Sequence, residues 1–98
     1  MTATPYIRHA GTAYPVRTDM QLVLQIEDAL GALPQLSENF SNNRWHVETL
    51  VTLVQILLQQ AGQDADFLTL GTEMIRHGLP FYHAQALHIL TLITGQTA

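Results

Sequence analysis

Between Thr18 and Thr94 the apolar residues recur three and four positions apart, the spacing that places side chains on one face of an α-helix. Single glycines and prolines interrupt this pattern. No alternation of apolar and polar residues persists for five residues, as a half-buried strand would require. A helical period that is broken only by stop signals predicts consecutive helices and argues against a sheet. The sequence therefore predicts an all-α fold.

The stop signals divide this region into four predicted helices. They cover residues 18–33, about 43–61, about 64–77 and 80–94. Thr18 is the expected N-cap of the first helix, and the segment 34–42 is predicted as a connection with room for a single helical turn. In the third helix, Leu68 and Ile75 are expected on the core face. Short connections favour antiparallel neighbours, so residues 18–98 are predicted to form a small four-helix domain.

Residues 1–17 lack the helical period. Pro5 and Pro15 each remove a backbone donor, and Gly11 lies between them. We therefore predict an irregular N-terminal arm, which is either mobile or docked onto the body or a partner. The side chains available for docking are Tyr6, Tyr14 and Val16.

Composition narrows the range of functions. The chain of 98 residues contains no cysteine and no lysine, and its net charge is −4. So few cations neutralise too few phosphates for binding to nucleic acid or to an anionic membrane surface. No apolar stretch reaches the roughly 18 residues of a membrane span, and a signal-peptide order is absent. We expect a single cytoplasmic domain that binds neither nucleic acids nor membranes.

Residues that carry chemistry are scattered along the chain. His77, His83 and His88 are separated by six and five positions, so no two of them share a helix face as metal ligands would. There is no thiol, and the serines do not lie in a nucleophile turn. The acidic residues are dispersed. The sequence therefore predicts a protein that is not an enzyme and that has no cofactor and no metal site.

Apolar residues exceed what one core face of each helix requires, while only 12% of residues are charged. A surface with so few charges is poorly protected against association. We therefore predict a protein interface on these additional faces. Its candidate residues are Trp45, Thr49, Thr52 and Ile56 on the second helix, Phe81 and Leu92 on the fourth, and Met20 and Leu24 on the first. The alternative is that the arm or the segment 34–42 covers these residues in a monomer.

The third and fourth predicted helices contain a pattern of bulky, small and turn residues. It consists of Phe67, Leu70, Gly71, Met74 and Gly78. This pattern resembles the first helix of a tetratricopeptide-type helical pair. The fourth predicted helix, which would be the second helix of the pair, departs from the repeat, because His83 stands where a small residue belongs. The resemblance covers less than a third of the chain, and no second repeat is visible.

We expect a regulator or adaptor that binds a larger protein, as a stoichiometric inhibitor or antiactivator does, and that forms a homodimer. The sequence does not identify this protein partner. A second hypothesis is a secretion-type chaperone or scaffold component that shields a hydrophobic client helix. A third is a small-molecule pocket near Trp45, Tyr82 and His83.

Overall fold

A computed structural model describes residues 4–95, so the outermost residues of the predicted arm and domain (1–3 and 96–98) lie outside the described residues. The elements are β1 (Tyr6–His9), β2 (Thr12–Pro15), α1 (Met20–Leu30), α2 (Leu33–Ser41), α3 (Val47–Gln60), α4 (Phe67–His77) and α5 (Leu79–Thr94). The predicted four-helix, all-α domain with an irregular arm is therefore wrong. Within residues 4–95 the fold is a two-stranded antiparallel sheet followed by five helices.

The segment predicted as an irregular arm forms a β-hairpin, because its glycine belongs to a two-residue turn. Ala10 and Gly11 have φ angles of 51° and 81°. Two consecutive residues with positive φ are typical of the type I′ turn, whose twist matches that of paired strands. Ile7 lies opposite Tyr14 in the antiparallel register. Pro15 lies between two hydrogen-bonded positions, so its missing N–H removes no bond between the strands.

One face of the hairpin is part of the core. Ile7 and Val16 are both fully buried, and β1 contacts α3 and α5. Complete burial of a valine or isoleucine side chain stabilises a fold by about 1.5–3 kcal/mol. The backbone N–H of Val16 also donates to the carbonyl of Pro5 at 2.9 Å, which extends the pairing beyond the strands. The hairpin is therefore held to the helices by apolar burial on its inner face.

The predicted connection 34–42 is almost entirely helical, and this is the second correction. Pro34 lies in the first turn of α2, where no backbone N–H is needed, and does not act as a stop signal. The backbone N–H of Leu33 donates to the side chain of Glu27 at 2.9 Å, which satisfies one of the free donors of the helix start. Leu36 and Phe40 are buried along the inner face of α2.

Helix α3 begins at Val47, later than the predicted start near residue 43. Asn43 has a φ of 56°, a left-handed conformation that does not continue a helix. His46 is extended and forms the N-cap of α3. Trp45 therefore lies in the connection before α3, although the sequence pattern placed it on the helix.

The caps of α1 and α4 lie one and two residues after the predicted starts of these helices. Asp19, and not Thr18, caps α1 by accepting from the backbone N–H of Leu22 at 3.0 Å. Asp66 caps α4 by accepting from the backbone N–H of Thr69 at 3.0 Å. Aspartate is among the most favourable N-cap residues because its carboxylate satisfies free backbone donors.

Helix α3 lies at the centre of the domain, in contact with α1, α4, α5 and β1. Helix α5 packs against α2, α3, α4 and β1 and follows α4 after Gly78, whose φ of 103° turns the chain. A β-carbon at Gly71 would lie 3.6 Å from the Val51 side chain of α3, an ordinary van der Waals distance, so this position of α4 faces α3. None of the helices in residues 4–95 is long and apolar enough to cross a membrane.

Candidate functional site

The structure does not bring the four predicted residues Trp45, Thr49, Thr52 and Ile56 together on one exposed face. Trp45 precedes α3, and Ile56 belongs to the core with only 8% of its surface exposed. Thr49 and Thr52 are half-buried beside a hollow between the end of α1 and the start of α3. The hydroxyl of Thr52 donates to the carbonyl of Glu48 at 2.8 Å.

Trp45 instead completes an aromatic stack between α2 and α5. Its ring lies nearly parallel to that of His83, with centroids 5.0 Å apart, and its centroid is 6.0 Å from that of Phe40. His83 Nε2 lies 2.8 Å from the carbonyl oxygen of Phe40, which fixes the imidazole in place. The Trp45 indole N–H is buried without a hydrogen-bond partner in the described chain. The hypothetical small-molecule pocket is not assembled here, because Tyr82 contacts different residues.

The hairpin crosses the second face of α5 between the two residues that were predicted to form an interface. Phe81 and Leu92 retain 47% and 41% exposure. Gln85 lies between them on this face, and its side-chain amide accepts from the backbone N–H of Arg8 at 2.6 Å and donates to the Arg8 carbonyl at 3.2 Å. Phe81 and Leu92 are therefore separated by β1.

The predicted pair on α1 is exposed. Met20 and Leu24 are 65% and 57% accessible and lie one helical turn apart, so their side chains are neighbours on the outer face of α1. Of the sequence-predicted residues, these two form an exposed apolar row on one helix.

A further apolar surface, which we call the α4 face, consists of Leu68 and Ile75 together with Val47 across a groove. Their exposed fractions are 76%, 62% and 42%. The groove has a volume of about 310 Å³, and Gly71 and Val51 line it between these side chains. Sequence reasoning missed the α4 face because it assigned Leu68 and Ile75 to the core side. The signal was present: at 100° per residue both lie about 150° from Leu70, which is buried.

The two ends of α4 carry opposite charges. Asp66 lies at the N-terminus, and hydrogen bonds from the backbone and side chain of Thr69 lower the pKa of its carboxyl group, which keeps it ionised. Arg76 and His77 lie in the last turn. Within residues 4–95 the one close contact between a basic side chain and a carboxylate joins His9 and Glu73, so the Arg76 guanidinium has no carboxylate partner in this part of the chain.

A cavity with a mainly apolar lining and several polar side chains lies between the hairpin turn and the corner where α4 meets α5; we call it the hairpin cavity. Its volume is about 530 Å³. The side chains that line it include Arg8, His9, His77, Phe81 and Tyr82, together with the turn residues. No aspartate or glutamate is among the lining residues, although the chain as a whole has a net charge of −4.

His9 connects the hairpin to both helices at one wall of the hairpin cavity. Its Nε2 lies 3.1 Å from a carboxylate oxygen of Glu73 on α4, and its Nδ1 lies 3.1 Å from the hydroxyl of Tyr82 on α5. Burial, and secondarily the negative charge of Glu73, raises the pKa of Tyr82, so the phenol stays protonated. Among the described residues no group of three or more histidine, aspartate or glutamate side chains could hold a metal ion.

No known family model, curated protein or solved structure matches this chain. The most distinctive surfaces of the chain itself are the α4 face and the hairpin cavity.

Proposed function

We propose that this chain is a helical protein-interaction protein of the cytoplasm. It acts as a homodimer and regulates a larger protein by stoichiometric binding. The observation that carries the proposal is the α4 face, where Leu68, Ile75 and Val47 expose apolar surface around one groove. Single exposed apolar residues are ordinary, whereas a contiguous exposed group is typical of a binding surface.

The spacing of residues on α4 supports a second copy of the chain as the occupant of this face. In an antiparallel pair of α4 helices related by a two-fold axis near residues 71 and 72, Leu68 of each copy lies opposite Ile75 of the other. The apolar pairs thus share one centre, as the self-complementary surface of a two-fold dimer requires.

A small side chain lies where the two helices would cross, because Thr72 is exposed there while Gly71 beside it faces Val51 of α3. Small residues at a crossing point let two helices approach within the 8–10 Å that is usual for packed helices.

A dimer built on α4 leaves the row of Met20 and Leu24 on α1 free for the regulated protein. Both side chains are more than half exposed, and a helix with two apolar residues one turn apart suits the groove or helix of another protein. A domain of this size that covers an assembly surface of a larger protein inhibits it without catalysis. This is the mode of action that we propose.

The open groove beside α4 also favours the chaperone hypothesis as a second candidate. In that case a hydrophobic client helix, and not a second copy, would lie between Val47 and the row formed by Leu68 and Ile75. The two candidates differ in the free protein, because a chaperone without its client leaves the groove empty and the chain monomeric.

Light scattering of the purified chain over a wide concentration range tests the proposal. We expect the mass of a dimer for the wild type and the mass of a monomer for the double variant Leu68→Gln, Ile75→Gln. Both positions are exposed, so the polar side chains leave the fold intact. The matched control Met20→Gln, Leu24→Gln alters an equally exposed pair on α1 and should remain dimeric. A wild-type monomer at every concentration would refute the homodimer and leave the groove to a client helix.

A further inference from the structure

The hairpin cavity combines a positively charged side chain without a partner and an apolar wall. The guanidinium of Arg8 has no carboxylate within ion-pair distance among the described residues. The side-chain amide of Gln85 forms hydrogen bonds with both the N–H and the carbonyl of Arg8. These bonds fix the backbone of Arg8 at the edge of the cavity. A volume of about 530 Å³ is within the range of roughly 300–1,000 Å³ that is usual for small-molecule sites.

Some polar side chains at the cavity already form hydrogen bonds within the chain, and others are free to bind a ligand. Both ring nitrogens of His9 are engaged, one by Glu73 and the other by Tyr82. The Glu73 carboxylate lies beyond the His9 ring and does not line the hairpin cavity. The free polar side chains at the cavity are those of Arg8, Thr12 and His77, and all three can donate to an anion.

Another part of the cavity lining is apolar. Phe81 is 47% exposed and is fixed edge-on to Tyr82, with ring centroids 5.2 Å apart. Ala10 and Ala13 of the hairpin add methyl groups to the lining. A ligand with an anionic end at Arg8 and an apolar body against Phe81 would match both parts of the lining.

We propose that the hairpin cavity binds a small organic carboxylate with an apolar body. The carboxylate accepts from the Arg8 guanidinium, which has the fork geometry for two parallel hydrogen bonds, and from His77. The apolar body packs against the ring of Phe81. Such a ligand would bridge the hairpin turn and the corner between α4 and α5, and its binding does not depend on the dimer that we propose above.

Titration of the full-length chain with benzoate, followed by backbone NMR shifts, tests this site. We expect shifts centred on the hairpin turn and on residues 77–82. Benzamide has the same shape without the charge, and it should bind at least about tenfold more weakly, the effect of one lost charge-assisted pair. Hexanoate, a linear carboxylate, serves as the second anionic probe.

Two arginine variants separate a specific site from general charge attraction. Arg8→Gln should remove the preference for benzoate over benzamide. The control Arg44→Gln removes the same charge at an exposed position outside the cavity and should leave that preference unchanged. Phe81→Ala should weaken benzoate and benzamide alike. Equal binding of benzoate and benzamide to the wild type, equal losses in the two arginine variants, or no shift with either carboxylate at millimolar concentration would overturn the proposal.

Discussion

Ile7 is fully buried, whereas its neighbour Tyr6 keeps 55% of its surface exposed. This alternation is the period of a strand, and it directs one side chain into the core while the next faces solvent. Contacts of single residues determine the local structure elsewhere in the chain as well. Trp45 is fixed by its stack on His83, and Asp66 by its cap on α4.

Replacement of Ile7 by alanine should lower the free energy of unfolding by about 2–5 kcal/mol, because it removes buried methyl groups and leaves a cavity. Urea denaturation followed by circular dichroism measures this loss. Tyr6→Ala on the outer face is the control and should change stability far less. Equal and small effects at both positions would mean that the hairpin does not pack against the helices.

Acidification should weaken the start of α4, because the pKa of Asp66 is lowered in the folded state. A lowered pKa contributes stability that is present above the ordinary aspartate range and is lost as the pH falls through that range and below it. Asn at this position keeps an N-cap oxygen without the charge. Unfolding curves at several acidic pH values should therefore show a smaller stability loss for Asp66→Asn than for the wild type. Parallel losses in both proteins would contradict this role of Asp66.

At the scale of secondary structure, α1, α4 and α5 could be predicted because each combines apolar residues at helical spacing with a glycine at its end. The hairpin could not, because its strands are four residues long and two prolines, Pro5 before β1 and Pro15 at the end of β2, resemble stop signals. Helix α2 was missed for a related reason. A proline ends a helix that precedes it and equally begins one that follows, and the choice at Pro34 depends on the burial of Leu36 and Phe40.

The conformation of the hairpin turn gives an expectation at this scale. Gly11→Ala should destabilise the fold by about 1–2 kcal/mol, because a residue with a β-carbon is strained at a φ of 81° even though no atom lies within 4 Å of that carbon. Gly11→Asn should cost less, since asparagine tolerates the left-handed region. Thermal unfolding of the two variants provides the comparison. If both variants lost the same stability, the positive φ of the type I′ turn would not be the source of the strain.

At the scale of the whole molecule, surface exposure depends on how the elements pack, and this limits prediction of the site. Ile56 was predicted as an interface residue, but α3 is surrounded by other elements and the side chain is buried. Leu68 and Ile75 were assigned to the core, but α4 turns Leu70 and Met74 inward and leaves them outside. Met20 and Leu24 are exposed as expected, because α1 packs through its opposite side.

Cross-linking at Thr72 tests the α4 dimer most directly. The chain contains no cysteine, so Thr72→Cys introduces a single thiol next to the proposed two-fold axis. Two such thiols near the axis can meet the spacing of roughly 4.4–6.8 Å between Cα atoms that a disulfide needs. We expect mild oxidation to convert this variant rapidly into a covalent dimer, and Thr18→Cys, an exposed control ahead of α1, to react slowly. Equally slow reaction of both variants would contradict the dimer through α4.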